Sequence, residues 1–528
     1  MRPAIPSLLR NVARPASTLR VHAVALPRSG AGSRPIAAAT PFVRAQLIAH
    51  RAPIRQRLFN TSSKTTNAAT LAAPFARVES SSGSTSSSSS LPALTTPAVA
   101  NWLYISSGLV FFIIVVGGVT RLTESGLSIT EWEPVKGILP PIGDEQWAVE
   151  WEKYRVTPEG MMMNSQLDMD SFKRIFYMEW AHRLAGRVLG VGFILPAAYF
   201  LAKGKVAPGT RWKLAAIAGG IGFQGALGWY MVKSGLDEEN FTHAGAVPRV
   251  SQYRLAAHLG AALMLYTGMV HTANTIKRDW KYAVGGEGVK IAGVTGSERL
   301  WNVLQHPSVK RFGKWSTVVG GMVLFTAISG AFVAGLDAGL IYNEFPTMGG
   351  RLMPPAEEMM DPRYAKAADK SDTWWRNLLE NPTTVQFDHR ALAITTFTAV
   401  LSLPLLATRP ALRRCLPPTT LTWAKTAAAA AILQVTMGVT TLLYLVPVPL
   451  AAAHQAGSVL LLTTMLGLAG TMRRPSALAR AYKAARQSSM QAQGSANVKA
   501  GQQAGFAGNV QGVLRNVDSS LKARVNTP

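Results

Sequence analysis

Residues 117–141 read GGVTRLTESGLSITEWEPVKGILPP, and residues 330–355 read GAFVAGLDAGLIYNEFPTMGGRLMPP. Glu131-Trp132 in the first stretch matches Glu344-Phe345 in the second, and each stretch closes on Pro-Pro after a glycine. The correspondence continues downstream. Glu179-Trp180-Ala181-His182-Arg183 faces Gln386-Phe387-Asp388-His389-Arg390, Gln224 and Gly228 face Gln434 and Gly438, and His258 faces His454. A unit that recurs in one orientation is the signature of an internal duplication.

The content of the unit follows from hydropathy. A membrane-spanning helix needs about 20 mostly apolar residues. Charge-free stretches of that kind run over 102–120, 214–232, 255–273, 315–336, 391–408, 427–446 and 450–472. An eighth and weaker one runs over about 176–202, with Arg183 and Arg187 near its start. The expected fold is therefore an all-α integral membrane protein, eight transmembrane helices forming two tandem four-helix bundles related by internal duplication.

Charge tests this reading independently. The 528 residues carry a formal net charge of +26, which invites a nucleic-acid partner. Residues 1–95 hold +11 of it and residues 473–528 hold +8. The apolar middle is nearly balanced, which excludes a nucleic-acid-binding core. Between the spans the sign alternates: eleven acids against six bases over 121–181, +4 over 203–213, neutral over 233–254. The series goes on with +5 over 274–314, −4 over 337–388, +4 over 409–425 and an uncharged turn at 447–449. Basic loops mark the side that is not translocated, so both termini are expected on that side. The Arg-, Ser- and Ala-rich front end, nearly free of acids, reads as a mitochondrial presequence. The string Arg55-Gln56-Arg57-Leu58-Phe59-Asn60-Thr61-Ser62-Ser63 suits removal near Phe59. The basic side is then the matrix of a multi-pass inner-membrane protein.

The expected organisation is a presequence over 1–59, a disordered matrix linker over 60–100, a first four-helix unit over 101–276, a matrix linker over 277–314, a second unit over 315–473 and a basic matrix-facing tail over 474–528. The lone Cys415 rules out intrachain disulfides and sites built on several cysteines.

Of nine histidines, four stand apart. His182, His258, His389 and His454 precede the first base on the basic side by 21, 19, 20 and 19 residues. At 1.5 Å per residue they share one depth within about 3 Å. Ionisable groups there are costly and mark function. Imidazole pairs from facing helices are an arrangement that ligates heme iron from both sides, and the repeat pairs His182 with His258 and His389 with His454. Arg183, Arg254 and Arg390 lie near the same interface and are candidate contacts for heme propionates, or ordinary interfacial anchors. The halves differ at one place: Glu179 lies three residues before His182 on the same helix face, whereas the matching residue is Gln386. A carboxylate beside one iron ligand suits proton abstraction during oxidation of a bound substrate. It also suits a structural tie to the adjoining loop or to Arg183.

These residues resemble the heme A synthase family over about residues 100–473. GGVTRLTESGLSITEW, EWAHR, QGALGWYMVKSGL, YRLAAHLG, FDHR and AAAHQ occur in the family's order. The resemblance implies that the first unit holds heme O as substrate between His182 and His258, with Glu179 at the position of the catalytic glutamate. It implies a permanent heme b between His389 and His454. The implied reaction oxidises one porphyrin methyl twice, and the hydrated intermediate loses water to give heme A, destined for cytochrome c oxidase. Heme O synthase, a ferredoxin with its reductase and membrane lipid are the implied partners, and self-association is compatible with it. Bacterial relatives often carry a cysteine pair in the first long loop; this chain has none there. The rival reading is a diheme b-type electron carrier with no substrate chemistry.

Overall fold

The computed structural model describes residues 92–133, 135–237 and 249–525. The presequence, its cleavage site and nearly all of the linker expected over 60–100 lie outside these residues. Eight long helices occupy the body: α1 Pro97–Leu122, α2 Met169–Ala202, α3 Pro208–Gly235, α4 Gln252–Val284, α5 Pro307–Gly335, α6 Pro382–Thr408, α7 Pro418–Leu443 and α8 Val448–Thr471. A ninth, α9, covers Ala477–Val525.

Proline marks most of the starts. Six of the eight body helices, all but α2 and α4, carry it in the first turn, where its missing N–H would have no intrahelical partner. Asp168 caps α2 by accepting from Ser171 N at 3.0 Å, and Asn381 caps α6 by accepting from Thr383 N at 3.0 Å. At the ends of α1 and α5, Glu124 and Asp337 both adopt φ of 50°. A left-handed cap of this kind normally takes glycine, and the two residues hold equivalent places in the repeated stretch.

Six of these helices are long and apolar enough to cross a membrane: α1, α2, α5, α6, α7 and α8. The other two expected spans, α3 and α4, fall below that mark. In α3 the composition is diluted by Gly219, Gly220, Gly222, Gln224, Gly225 and Gly228; in α4 by Arg254, His258 and His271. Large apolar side chains are exposed along the helix middles, including Phe112, Leu195, Phe325, Leu405 and Leu433. A water-soluble protein would cover such surface.

Within residues 97–284, α1 packs on α2 and α4, and α3 packs on α2 and α4. Within 307–471, α5 and α7 each pack on both α6 and α8. The two groups meet where α4 lies on α5 and α8 and where α1 lies on α8. Polar ties cross that seam: Tyr266 Oη with Thr463 Oγ1 at 2.6 Å, Gln455 Nε2 to Ile114 O at 3.0 Å, and Arg121 to Asp337 at 2.9 Å.

Three boundaries differ from expectation. Helix α1 starts at Pro97, inside the segment read as linker, because Val99 and Ala100 are fully buried. The segment expected to link the halves over 277–314 is ordered: α4 runs on to Val284, a hairpin pairs Lys290–Ile291 with Val294–Thr295, and a helix spans Ser297–Gln305. Ile291, Val294, Leu300 and Leu304 anchor it by burial. Helix α2 begins well before the apolar run, at Met169. Its extension carries Phe172 and Phe176, which with Trp147 and Tyr154 form a separate aromatic core, Trp147 lying 5.1 Å from Phe176 between ring centroids. The helix Asp144–Arg155 and this extension make the first acidic loop a folded cap. Phe172 is fully buried, so Phe172→Ala is expected to destabilise the cap by about 3–5 kcal/mol. Hydrogen exchange over residues 144–177 should accelerate while the body helices stay protected.

Candidate functional site

Each of the four histidines rests against a glycine of a neighbouring helix. A Cβ added to Gly117 of α1 would fall 2.7 Å from Cε1 of His182, and one on Gly228 of α3 would fall 3.5 Å from Cε1 of His258. In the other half the corresponding approaches are 3.3 Å from Gly330 to His389 and 2.7 Å from Gly438 to His454. One turn before each α3 or α7 glycine stands a glutamine that fixes the partner helix. Gln224 Nε2 donates to His258 O at 3.1 Å, and Gln434 Nε2 donates to His454 O at 2.9 Å. His182 and His258 lie within electrostatic range of each other, as do His389 and His454. The expected pairs are therefore brought together.

The pairs differ in how the rings are held. Ser329 Oγ donates to Thr326 O at 2.8 Å, so the lone pair it presents to His389 Nδ1 at 2.7 Å accepts a proton. His454 Nδ1 lies 3.1 Å from Gln434 O, also an acceptor. The Ser329 contact sets the His389 ring as the Nδ1–H tautomer with Nε2 unprotonated, the form that binds a metal. His454 Nδ1 also lies 3.2 Å from the Gln434 amide nitrogen, so that Gln434 holds this ring through both ends of its residue. In the first pair, Nδ1 of His182 and of His258 is buried with no hydrogen-bond partner. The Ile113 carbonyl is close to the His182 ring but not in hydrogen-bonding geometry. Orphaned ring nitrogens packed against bare glycine backbone fit a flat prosthetic group gripped through imidazole nitrogens. The second pair fits such a group as well, with its rings held by Ser329 and Gln434.

Glu179 is buried, 3% exposed. Its Oε2 accepts from Ser128 Oγ at 2.7 Å and from Ile129 N at 2.9 Å. Its Oε1 accepts from Arg183 Nε at 3.0 Å and from the Arg183 terminal nitrogen at 2.6 Å. Arg183 reaches on to Glu131 O at 3.0 Å and Ile129 O at 2.8 Å. The carboxylate and the guanidinium together strap the loop after α1 onto α2. In the second half Gln386 Nε2 donates to Tyr342 O at 3.0 Å, and Arg390 donates to Tyr342 O at 2.8 Å and Thr347 O at 3.1 Å. The strap is repeated there without the carboxylate. Arg254 stacks on Tyr230 at 4.8 Å. All three arginines named from sequence thus have partners within the chain.

A cavity of about 350 Å³ opens beside this strap, lined by Glu131, Trp132, Arg183, Trp229 and Lys233 among others. Lys233 was not singled out by sequence, where it reads only as the charge that ends a span. Ser128 and Ser329 gave no sequence signal at all, since a serine's value here lies in the one proton it donates.

A second carboxyl belongs to this region. Glu159, 5% exposed, has an Oε2 with no hydrogen-bond partner. Burial, reinforced by the Glu179 and Glu124 carboxylates, pushes its pKa up to about 8. Four donors surround Glu179, while Glu159, with its pKa pushed up, holds its proton beside it.

These features define a class: a helical multi-pass membrane protein with two pairs of facing imidazoles, one pair beside a buried carboxylate. Known proteins make it particular. The family model for cytochrome oxidase assembly proteins (COX15-CtaA) matches residues 100–466. The chain is 46% identical to heme A synthase COX15 of Saccharomyces cerevisiae over 383 residues, 72% of this chain and 77% of that protein. It is 43% identical to heme A synthase COX15 of Homo sapiens over 376 residues, 71% of this chain and 83% of that one. A heme A synthase–mitochondrial ferredoxin fusion protein of Schizosaccharomyces pombe is 47% identical over 375 residues, 70% of this chain and 59% of that protein. The chain belongs to the heme A synthase family of cytochrome oxidase assembly proteins.

Two outcomes follow. An acid whose native pKa exceeds its unfolded value keeps a proton that the unfolded chain releases, so its stabilising effect is present below about pH 4.5 and is lost as pH rises to about 8. Protection of the cap in hydrogen exchange should fall across that window, and Glu159→Gln should flatten the fall. Gly117→Ala must displace the His182 ring, while Gly330→Ala meets His389 at a looser 3.3 Å. Heme retained after purification should drop more in the first variant than in the second.

Proposed function

We propose that this chain is a heme A synthase of the mitochondrial inner membrane, an oxidoreductase that converts heme O to heme A by oxidising one porphyrin methyl to a formyl group. All eight body helices cross the membrane as two duplicated four-helix units, with both termini in the matrix. The polar α4 crosses because its partners cover much of it, the glycine-rich α3 crosses because residues 214–232 carry no charge, and the alternation of loop charge supports the orientation. Matched left-handed caps, straps and histidine–glycine contacts support the duplication.

One observation carries the division of labour between the halves. The carboxylate strap of Glu179, Ser128 and Arg183 adjoins the pair whose Nδ1 atoms have no hydrogen-bond partner. In the second strap the matching residue is the amide Gln386, and the carboxylate nearest in the chain, Asp388, takes no part in it. His182 and His258 accordingly hold heme O, which must enter and leave. His389 and His454 would hold a resident heme b, which would supply one-electron chemistry between the substrate site and a redox partner. Arg183 and Lys233, at the cavity beside the first pair, offer cations to the propionates; Arg254 and Arg390 are weaker candidates because Tyr230 and the 342–347 backbone engage them.

Each of the two oxidations of the methyl carbon brings in one oxygen atom, from water or dioxygen, and moves protons at the site, the electrons being exchanged with the redox partner. Ser128 hands its hydroxyl proton to Glu179 as it takes one from the substrate side, so the acid need not leave its strap. Arg183 stays within 3.0 Å of the carboxylate and holds it in place between turnovers. Loss of water from the twice-oxidised carbon leaves the formyl group. The fusion of a ferredoxin to the Schizosaccharomyces pombe relative supports a ferredoxin partner, served by its reductase; heme O synthase supplies the substrate, and self-association is compatible with the exposed helix faces.

Glu179→Gln should retain bound heme yet lower heme A yield 10²-fold or more, the usual weight of a general base, with heme O or its hydroxylated form accumulating in extracts. Normal yield would remove Glu179 from the chemistry. His389→Ala and His454→Ala should each abolish the b-type band in reduced-minus-oxidised spectra of purified protein.

A further inference from the structure

The end of the body remote from the four histidines holds a second cavity, of about 400 Å³, between α4, the start of α5 and the end of α8. Its wall carries His271 and Arg278 from α4, Lys310 and Lys314 from α5, and Arg473 and Arg474 beyond α8. No carboxylate lines it. The adjacent Asp279 accepts from Ser476 N at 3.0 Å and lies within electrostatic range of Arg278 and Arg473, which leaves Lys310, Lys314 and Arg474 without a lining carboxylate.

The cations here have only partial occupation. Buried Arg278 donates to the carbonyls of Gly470 and Thr471, the latter at 2.8 Å, which closes the C-terminus of α8. Arg473 lies 3.0 Å from His271 Nδ1, a contact in which the ring accepts and is therefore neutral. Lys310, Lys314 and Arg474 are exposed, and the two lysines stand one turn apart on one helix face. Like charges so placed repel unless an anion lies among them. The floor beneath them is apolar, made by Leu304, Val309, Leu466 and Met472. A cationic rim over an apolar floor, between helices at the end of a membrane bundle, matches a lipid's phosphate above and its acyl chains below.

We propose that this cavity binds an anionic phospholipid through its phosphate groups, a two-phosphate lipid of the cardiolipin type fitting the number of cations, and that the lipid braces α4 against α5 and α8. The site rests on the membrane-spanning reading of these helices but not on the assignment of the histidines. It is a contact unrelated to the reaction, so its failure leaves the heme chemistry untouched.

The test uses the full chain purified in detergent. It is titrated with phosphatidylcholine, with phosphatidylcholine containing cardiolipin, and with inorganic phosphate, bound lipid being counted by native mass spectrometry and stability read as a thermal midpoint. Cardiolipin is expected to bind at least tenfold more tightly than phosphatidylcholine and to raise the midpoint. The triple variant Lys310→Ala, Lys314→Ala, Arg474→Ala should lose that preference tenfold or more while its heme spectrum is unchanged. Lys310→Arg with Lys314→Arg should keep it. If the triple variant fails to fold, Lys314→Ala and Arg474→Ala singly should each weaken binding severalfold. Equal binding of the two lipids, loss of preference in the arginine variant, or displacement of cardiolipin by millimolar phosphate would overturn the proposal, the last by identifying a soluble phosphate as the ligand.

Discussion

The contact between imidazole and glycine sets the spacing on which the rest of this molecule depends. A ring on one helix can approach a neighbour's backbone only where that neighbour has no side chain, and at Gly117, Gly330 and Gly438 even a methyl would come within 3.3 Å. The glycines bring the helices close enough for Gln224 and Gln434 to reach the carbonyls of His258 and His454. Those hydrogen bonds in turn stop α4 and α8 from sliding. Histidine depth, helix separation and glutamine bonding are thus one constraint seen three times.

On this shared frame the halves diverge through few atoms. A hydroxyl at Ser329 replaces an apolar neighbour and fixes one ring. A carboxylate at Glu179 in place of the amide of Gln386 converts a strap between loop and helix into a strap that also holds negative charge. The aromatic cap of Phe172, Phe176 and Trp147 is built on the first turns of α2, the helix that carries the buried Glu179. Glu159 inside the cap is the counterpart: an acid kept neutral so that two carboxylates can share the region.

Much of this was legible in the chain. Apolar length marks every one of the eight body helices, and counting from each histidine to the first base singles out the four that rest against helix glycines. The pairing followed from the repeat. What stayed hidden has physical reasons. Helix α2 extends past its apolar run because its first turns pack on an aromatic cap rather than on lipid, and hydropathy does not see such packing. The order of residues 290–305 rests on four buried side chains amid a polar sequence. The engagement of Arg183, Arg254 and Arg390 depends on which backbone carbonyl or ring lies opposite, information that a charge on a sequence does not carry. Glu159 looked like one acid among eleven.

Gly117 and Gly118 are adjacent on α1 but face different ways. Gly117 lies under the His182 ring, and Gly118 lies under the amide of Gln455, the residue after His454. The same Gln455 amide bonds back to Ile114 on α1. Two bare positions in succession therefore make α1 a party wall, one side belonging to each half. Neither group of four helices is closed without the other: α1 is bound to Gln455 of α8 as well as to its own neighbours, and removing either group would bare that face of α1.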